Sequence, residues 1–179
     1  TPLPRAHGAA TLSGLMRRLR VALIIATLDR AGTEKQVSLL ARRLDPERFD
    51  VTVFALTRGG PYADELRAAG ISVHVIGKAF KYDFRVVPRL RDLLTGHHID
   101  VAYTWMFTAN AFGRAAARLA GTPVVVSAEM DTGYKPPLHH RVDRFLARRT
   151  DAIVANSEGV YAYGLRHGED RVVVVLNRA

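Results

Sequence analysis

Residues 127–135 read Ser-Ala-Glu-Met-Asp-Thr-Gly-Tyr-Lys and set two carboxylates, Glu129 and Asp131, on either side of one methionine. Carboxylates leaving a strand end can orient the hydroxyls of a sugar-like ligand, or act as acid or base once burial shifts them. They form the candidate catalytic pair, with Lys135 a binding candidate beside them. The same residues also suit a plain surface loop in which Asp131 and Thr132 make a turn and Lys135 is solvated. A second constellation is Thr27-Leu28-Asp29-Arg30-Ala31-Gly32-Thr33-Glu34. Gly32 just ahead of a helix lets backbone approach a ligand, and the helix start offers N–H groups to an anion. The plainer alternative is that Gly32 only turns the chain and Thr33 caps the helix. The third constellation, residues 104–110, holds the only tryptophan, Trp105, near Asn110. An aromatic at a strand end can platform a ligand or simply pack.

Several chemistries are excluded. The chain has no cysteine, so disulfides, thiolate metal sites and thiol nucleophiles are absent. His97-His98 and His139-His140 are adjacent pairs, and no His-Glu-x-x-His occurs, so no metal site is expected. Neither a Gly-x-Gly-x-x-Gly fingerprint, a P-loop nor a Gly-x-Ser-x-Gly elbow is present. A nicotinamide-dependent oxidoreductase is disfavoured accordingly, and the second expected strand ends Leu56-Thr57-Arg58 where a ribose-binding acid would stand.

The elements that must position these residues follow from periodicity. Short apolar runs at 21–26, 51–56, 71–76, 100–103, 124–127, 152–155 and 172–176 predict strands. Segments of helical period at 33–44, 62–69, up to about Gly96, 109–120, 138–149 and 158–167 alternate with them. The pattern predicts an α/β fold with a doubly wound, Rossmann-like parallel sheet of about seven strands, its strands apolar on both faces because helices cover both. In such sheets ligands sit beyond the carboxyl ends of the strands, which directs attention to the loops after Ala26, Leu56, Tyr103, Ser127 and Ala155.

The length of 179 residues, with 48% hydrophobic and 24% charged residues, fits one globular domain. Residues 1–19, with two prolines and two glycines, read as a loose leader, and 20–179 as the domain. Met16-Arg17-Arg18-Leu19-Arg20 and the apolar run after it imitate a signal peptide, but no small-residue cleavage site follows and the run reads as the first strand. The longest apolar run, residues 21–28, is far below the ~20 residues of a spanning helix, so a soluble domain is expected. The formal charge of +9 comes chiefly from arginine, 22 of the 26 basic residues, scattered over the chain. It suits an anionic partner such as phosphate or carboxylate, or equally a solvated surface.

Four stretches together resemble family 4 glycosyltransferases. R-V-A-L-I-I-A-T-L-D-R-A-G-T-E-K-Q from Arg20 is similar to the first strand, glycine loop and helix of that family. The run from Asp100 to Glu129 resembles its fourth-to-fifth-strand segment, D-A-I-V-A-N-S-E-G-V from Asp151 its sixth strand, and V-V-V-V-L-N-R-A the strand before its interdomain junction. The resemblance implies the N-terminal half of a GT-B fold, in which this domain holds the acceptor and a second domain holds the nucleotide-sugar. It implies transfer with retention and without a bound metal or cofactor, the nucleotide-sugar being a donor substrate. By position Gly32 and Thr33 would lie near the donor phosphates, Glu129 and Asp131 at the acceptor-side catalytic loop, and Asn156 with Ser157 at the cleft wall. Three departures are visible: Ala31 replaces the first glycine of the usual pair, Met130 stands where many members carry histidine, and Asn177-Arg178-Ala179 replaces Asn-Gly-Val/Ile.

The sequence is thus expected to supply the acceptor-binding part of a hexosyltransferase-type enzyme, inactive without a C-terminal half. Its expected partners are a nucleotide-sugar donor and a cell-envelope glycan or lipid-linked acceptor, with an anionic membrane surface as a further candidate and no nucleic acid. The expected location is cytoplasmic, with peripheral attachment to the inner face of the membrane left open. Electrostatic attachment without insertion is expected, since no broad exposed apolar helix face is identified. The alternative is a non-catalytic Rossmann-like module binding an anionic lipid or a protein.

Overall fold

A computed structural model describes residues 17–129, 141, 144–155 and 172–174. In chain order the elements are β1 (Leu19–Thr27), α1 (Gly32–Arg43), β2 (Phe49–Arg58), α2 (Pro61–Ala68), β3 (Ser72–Val75), α3 (Val86–Gly96), β4 (Val101–Trp105), α4 (Met106–Leu119), β5 (Val124–Glu129), β6 (Ala152–Ala155) and β7 (Val172–Val174). The strands form one sheet in the order β3-β2-β1-β4-β5-β6-β7, and every neighbouring pair is parallel. This is the doubly wound, Rossmann-like architecture the alternation predicts. The chain winds outward from β1 through β2 to β3, then crosses back to β4, so strand order reverses between β1 and β4.

The side-chain period of two in β1 divides the core in two. Ala22 and Ile24 face one way, with Phe54, Ala102 and Val125, onto Leu90 and Leu94 of α3 and Ala109, Ala116 and Ala117 of α4. Val21, Leu23 and Ile25 face the other, with Val53 and Ala55, onto Val37 and Ala41 of α1 and Ala63 and Leu66 of α2. Burial on both faces is what makes β1 continuously apolar. Helix α4 lies unusually close to the sheet at Gly113: a Cβ there would meet Thr104 Cγ2 at 2.7 Å and Ile24 Cγ2 at 3.2 Å.

The amino edge of the sheet is closed by aspartates. Asp100 accepts the Arg20 N–H at 2.9 Å and both guanidinium nitrogens of Arg17 at 2.7 and 2.6 Å. Asp151 accepts the Val125 N–H at 2.8 Å and Arg118 Nη2 at 2.7 Å. Hydrogen bonding to Arg17 chiefly holds the Asp100 carboxyl down to about 2.

Two boundaries differ from the periodicity in ways that matter. Strand β4 runs to Trp105 and α4 begins at Met106, three residues before the expected start and with no intervening loop. Strand β5 runs to Glu129, two residues beyond its expected end. The expected helix at 158–167 and residues 1–16 of the expected leader lie outside the described residues; of the helix at 138–149, residues 141 and 144–147 are described and helical.

Candidate functional site

The reversal between β1 and β4 puts the ends of β1, β2, β4 and β5 around one part of the carboxyl edge. Leu28 and residues 59–62 are stitched together there: Leu28 N–H donates to Gly59 O at 2.9 Å, and Tyr62 N–H to Leu28 O at 3.1 Å. Gly60, the residue before α2, has φ 121 and ψ −179, a region open essentially to glycine alone. A Cβ on it would lie 2.7 Å from Leu28 O and 2.9 Å from Asp29 Oδ1. Side chains reinforce the seam: Arg58 pairs with Asp29 at 2.5 Å, and Arg30 pairs with Glu65 at 3.0 Å while lying over the Tyr62 ring. Thr27 Oγ1 donates to Glu34 Oε1 at 3.1 Å, closing the β1–α1 turn across itself.

At this turn the glycine that geometry demands is Gly60 and not Gly32. Gly32 has no positive φ, and a Cβ on it would meet nothing within 4 Å. It is exposed and is the first residue of α1. Thr33 therefore does not cap the helix: Ala31 occupies the cap position, and no side chain bonds there. Both residues do lie at the carboxyl edge beside the reversal, where an anion could approach the start of α1.

Across the reversal, β4 passes straight into α4 through Met106, whose φ of 68 is left-handed. For a non-glycine residue that conformation costs about 1–3 kcal/mol and persists where surrounding structure enforces it. Beneath the corner runs a buried polar network. Thr104 Oγ1 donates to Asn110 Oδ1 at 2.7 Å, and Asn110 Nδ2 donates to Glu129 Oε1 at 2.7 Å and to Ala128 O at 3.0 Å. Arg114, 1% exposed, donates from Nε to Asn110 O at 2.8 Å. Glu129 is 8% exposed and is the last residue of β5.

The sequence candidates thus fall into three groups. Glu129 and Asn110 are brought together, but Glu129 is a strand residue and not a loop residue, and the fully buried Asn110 amide is directed at Glu129 and the β5 backbone. Trp105 is 5% exposed and packs in the α1/α2 core beside the Tyr103 ring, 4.7 Å centroid to centroid. Burial raises the Tyr103 hydroxyl to about 12. Asp131, Lys135, Asn156 and Ser157 lie outside the described residues. Three contributors escaped the sequence reading: Gly60, Met106 and Arg114. Only the first left a signal, the Gly59-Gly60-Pro61 run between strand and helix. Among the described residues no group of three or more His, Asp or Glu is placed to hold a metal ion.

Comparison with known proteins adds three findings. A family model described as Glycosyltransferase Family 4 matches residues 30–177. No curated protein sequence matches the chain. Among solved structures, HepE from Anabaena in complex with UDP superposes with a TM-score of 0.71 at 19% identity, over 90% of this chain and 44% of that one. A glycosyltransferase from Rickettsia africae gives 0.72 at 15% identity, over 90% and 43%. The lipopolysaccharide outer core galactosyltransferase WaaB gives 0.62 at 14% identity, over 90% and 46%. The chain therefore spans less than half the length of these structures, and the likeness is to a Rossmann-like half of a GT-B fold.

Proposed function

The chain belongs to Glycosyltransferase Family 4, and on that premise we propose that residues 20–179 form the acceptor-binding domain of a retaining, hexosyltransferase-type enzyme. It would transfer a sugar from a nucleotide-sugar donor to a cell-envelope glycan or lipid-linked acceptor. One observation carries the reading: beside the strand-order reversal, the Glu129 carboxylate is fixed by the Asn110 amide at 2.7 Å. A carboxylate held at a strand end of the ligand edge is suited to orient an acceptor hydroxyl. In this proposal Asn110 sets the position of Glu129, and Asp131 and Lys135 complete the acceptor side. Gly32 and Thr33 stand near the donor phosphates, and Asn156 with Ser157 lines the cleft. A UDP complex and a lipopolysaccharide galactosyltransferase among the fold relatives support the donor and acceptor classes. No metal or resident cofactor is invoked. Among the described residues no helix is long and apolar enough to cross a membrane, and the proposed location is the cytoplasmic face.

The donor half would lie in the part of the fold relatives that this chain does not span. Titrating the 179-residue chain with UDP and UDP-sugars by calorimetry should show no micromolar binding and no sugar transfer, whereas the complete gene product should do both. Micromolar binding by the 179-residue chain alone would refute the two-half reading.

A further inference from the structure

The connection between β3 and α3 inverts the usual rule of burial. In Lys-Ala-Phe-Lys-Tyr-Asp-Phe-Arg, residues 78–85, all three aromatics are exposed: Phe80 58%, Tyr82 53% and Phe84 69%. The one acid, Asp83, is 1% exposed. Aromatics are normally turned inward, so three exposed within five residues are an exception of the kind that interaction surfaces show.

The exposure is built. Asp83 accepts the Ala79 N–H at 3.1 Å and Arg85 Nε at 2.8 Å, and its backbone N–H donates to Phe80 O at 3.2 Å. Lys78 N–H donates to Leu56 O at 2.8 Å, and Lys78 Nζ to Phe80 O at 2.7 Å. The Phe84 ring meets Phe112 of α4 at 6.0 Å. The loop thus has an internal carboxylate staple and a foot on α4, and it holds its rings outward at the carboxyl edge of the sheet.

Charge selects the partner. Lys78, Lys81 and Arg85 alternate with the rings, Lys81 lying over Tyr82 and Arg85 over Phe80. The only negative group is buried and already bonded, so the outer surface of the loop is cationic and aromatic. That combination fits the headgroup layer of an anionic bilayer, where rings enter the acyl boundary and basic groups meet phosphates.

We propose that residues 78–85 dock the domain on an anionic membrane by shallow insertion of Phe80, Tyr82 and Phe84. This replaces the expectation of purely electrostatic attachment. It deepens the lipid-linked acceptor reading, yet it stands on the loop alone. Vesicle binding needs neither donor nor acceptor, so its failure would leave the glycosyltransferase proposal standing, and the converse.

The test is co-sedimentation of the 179-residue chain with phosphatidylglycerol/phosphatidylcholine vesicles, against phosphatidylcholine alone. The parent should bind the anionic vesicles. Changing Phe80, Tyr82 and Phe84 together to Ser should weaken binding about tenfold or more, and Lys81→Gln about fivefold. Should the triple variant misfold, Tyr82→Trp keeps the test open. The indole it introduces should shift to the blue and be quenched by brominated lipid, while the buried Trp105 stays unquenched. Equal binding by a folded triple variant, or an unquenched indole at position 82, overturns the proposal. So does loop-dependent self-association, or loop-dependent binding of a soluble acidic polysaccharide, in the absence of vesicle binding.

Discussion

At the amino edge of the sheet, Asp100 and Asp151 each stand one residue before a strand and reach sideways to cap a neighbour, Asp100 onto β1 and Asp151 onto β5, with an arginine completing each pair. At the carboxyl edge Glu129 accepts from the Asn110 amide, and the backbone around it runs through a left-handed Met106 and a glycine-only Gly60. The amino edge is fastened by charge that solvent can reach, since the Arg17 side chain is 65% exposed. The carboxyl edge adds shape to charge: besides its own pairs, Arg58 with Asp29 and Arg30 with Glu65, its backbone leaves no room for a Cβ at Gly60. Substitutions that change volume or backbone freedom should therefore act chiefly on the second, and loss of a strand-capping carboxylate on the first.

The largest effect should come from Asn110→Ala. It removes from Glu129, Ala128 O and Thr104 a hydrogen bond made in a buried place, at about 0.5–1.5 kcal/mol each and about 1.5–3 for the bond to the carboxylate. Urea unfolding should show a loss of about 3–5 kcal/mol. A loss below about 1 kcal/mol would mean that the network does not fasten this edge. Gly60→Ala comes next, at about 2–3 kcal/mol, because the backbone region excludes Cβ and Leu28 O blocks it. If Gly60→Ala melts like the parent, the seam between β1 and β2 is looser than its geometry. Gly113→Ala should lose about 1–2 kcal/mol, since the added methyl meets Thr104 at 2.7 Å and outweighs the gain in helix propensity.

The amino edge should answer more weakly, and to pH. Asp100 falls from its ordinary 3.8 to about 2 on folding, so its contribution is complete above about pH 4 and is lost as pH falls towards 2. Asp100→Asn should cost about 1 kcal/mol at neutral pH, given the exposed arginine, and should flatten that acid limb. An unchanged limb would assign it to other carboxylates. The smallest effect belongs to His74, stacked on Phe54 at 5.3 Å and 4.8 Å from the His97 ring. Burial, then His97, then Arg67 lower its pKa below 6.5. The unfolded chain therefore binds the proton first, and stability should decline as pH drops below about 6.5. His74→Phe should remove that slope, and a slope that persists would place its origin elsewhere.

What the sequence revealed and what it hid follow the same division. The strands were legible because helices cover both faces, which leaves runs such as residues 21–26 apolar throughout. The corner at Met106 was not, because a left-handed methionine carries none of the glycine or proline marks by which turns are read. Glu129 was assigned to a loop because an acid at a strand end looks solvated. Its partner Asn110 stands 19 residues earlier, and only the fold makes them neighbours. Gly32 drew attention by its place before a helix, while the steric demand fell on Gly60, set by a carbonyl from another strand. In residues 78–85 the exposed rings gave no signal, since a phenylalanine's letter is the same inside or out.

The position of β1 in the sheet also has a history on the ribosome. Its second neighbour, β4, begins some 70 residues after β1 ends, about 4–15 s of synthesis at 5–20 residues per second. Throughout that interval a strand apolar on both faces has at least one unpaired edge open to any other nascent chain. Asp100, the residue made just before β4, carries the carboxylate that caps Arg20, so the latch arrives with the strand that ends the exposure.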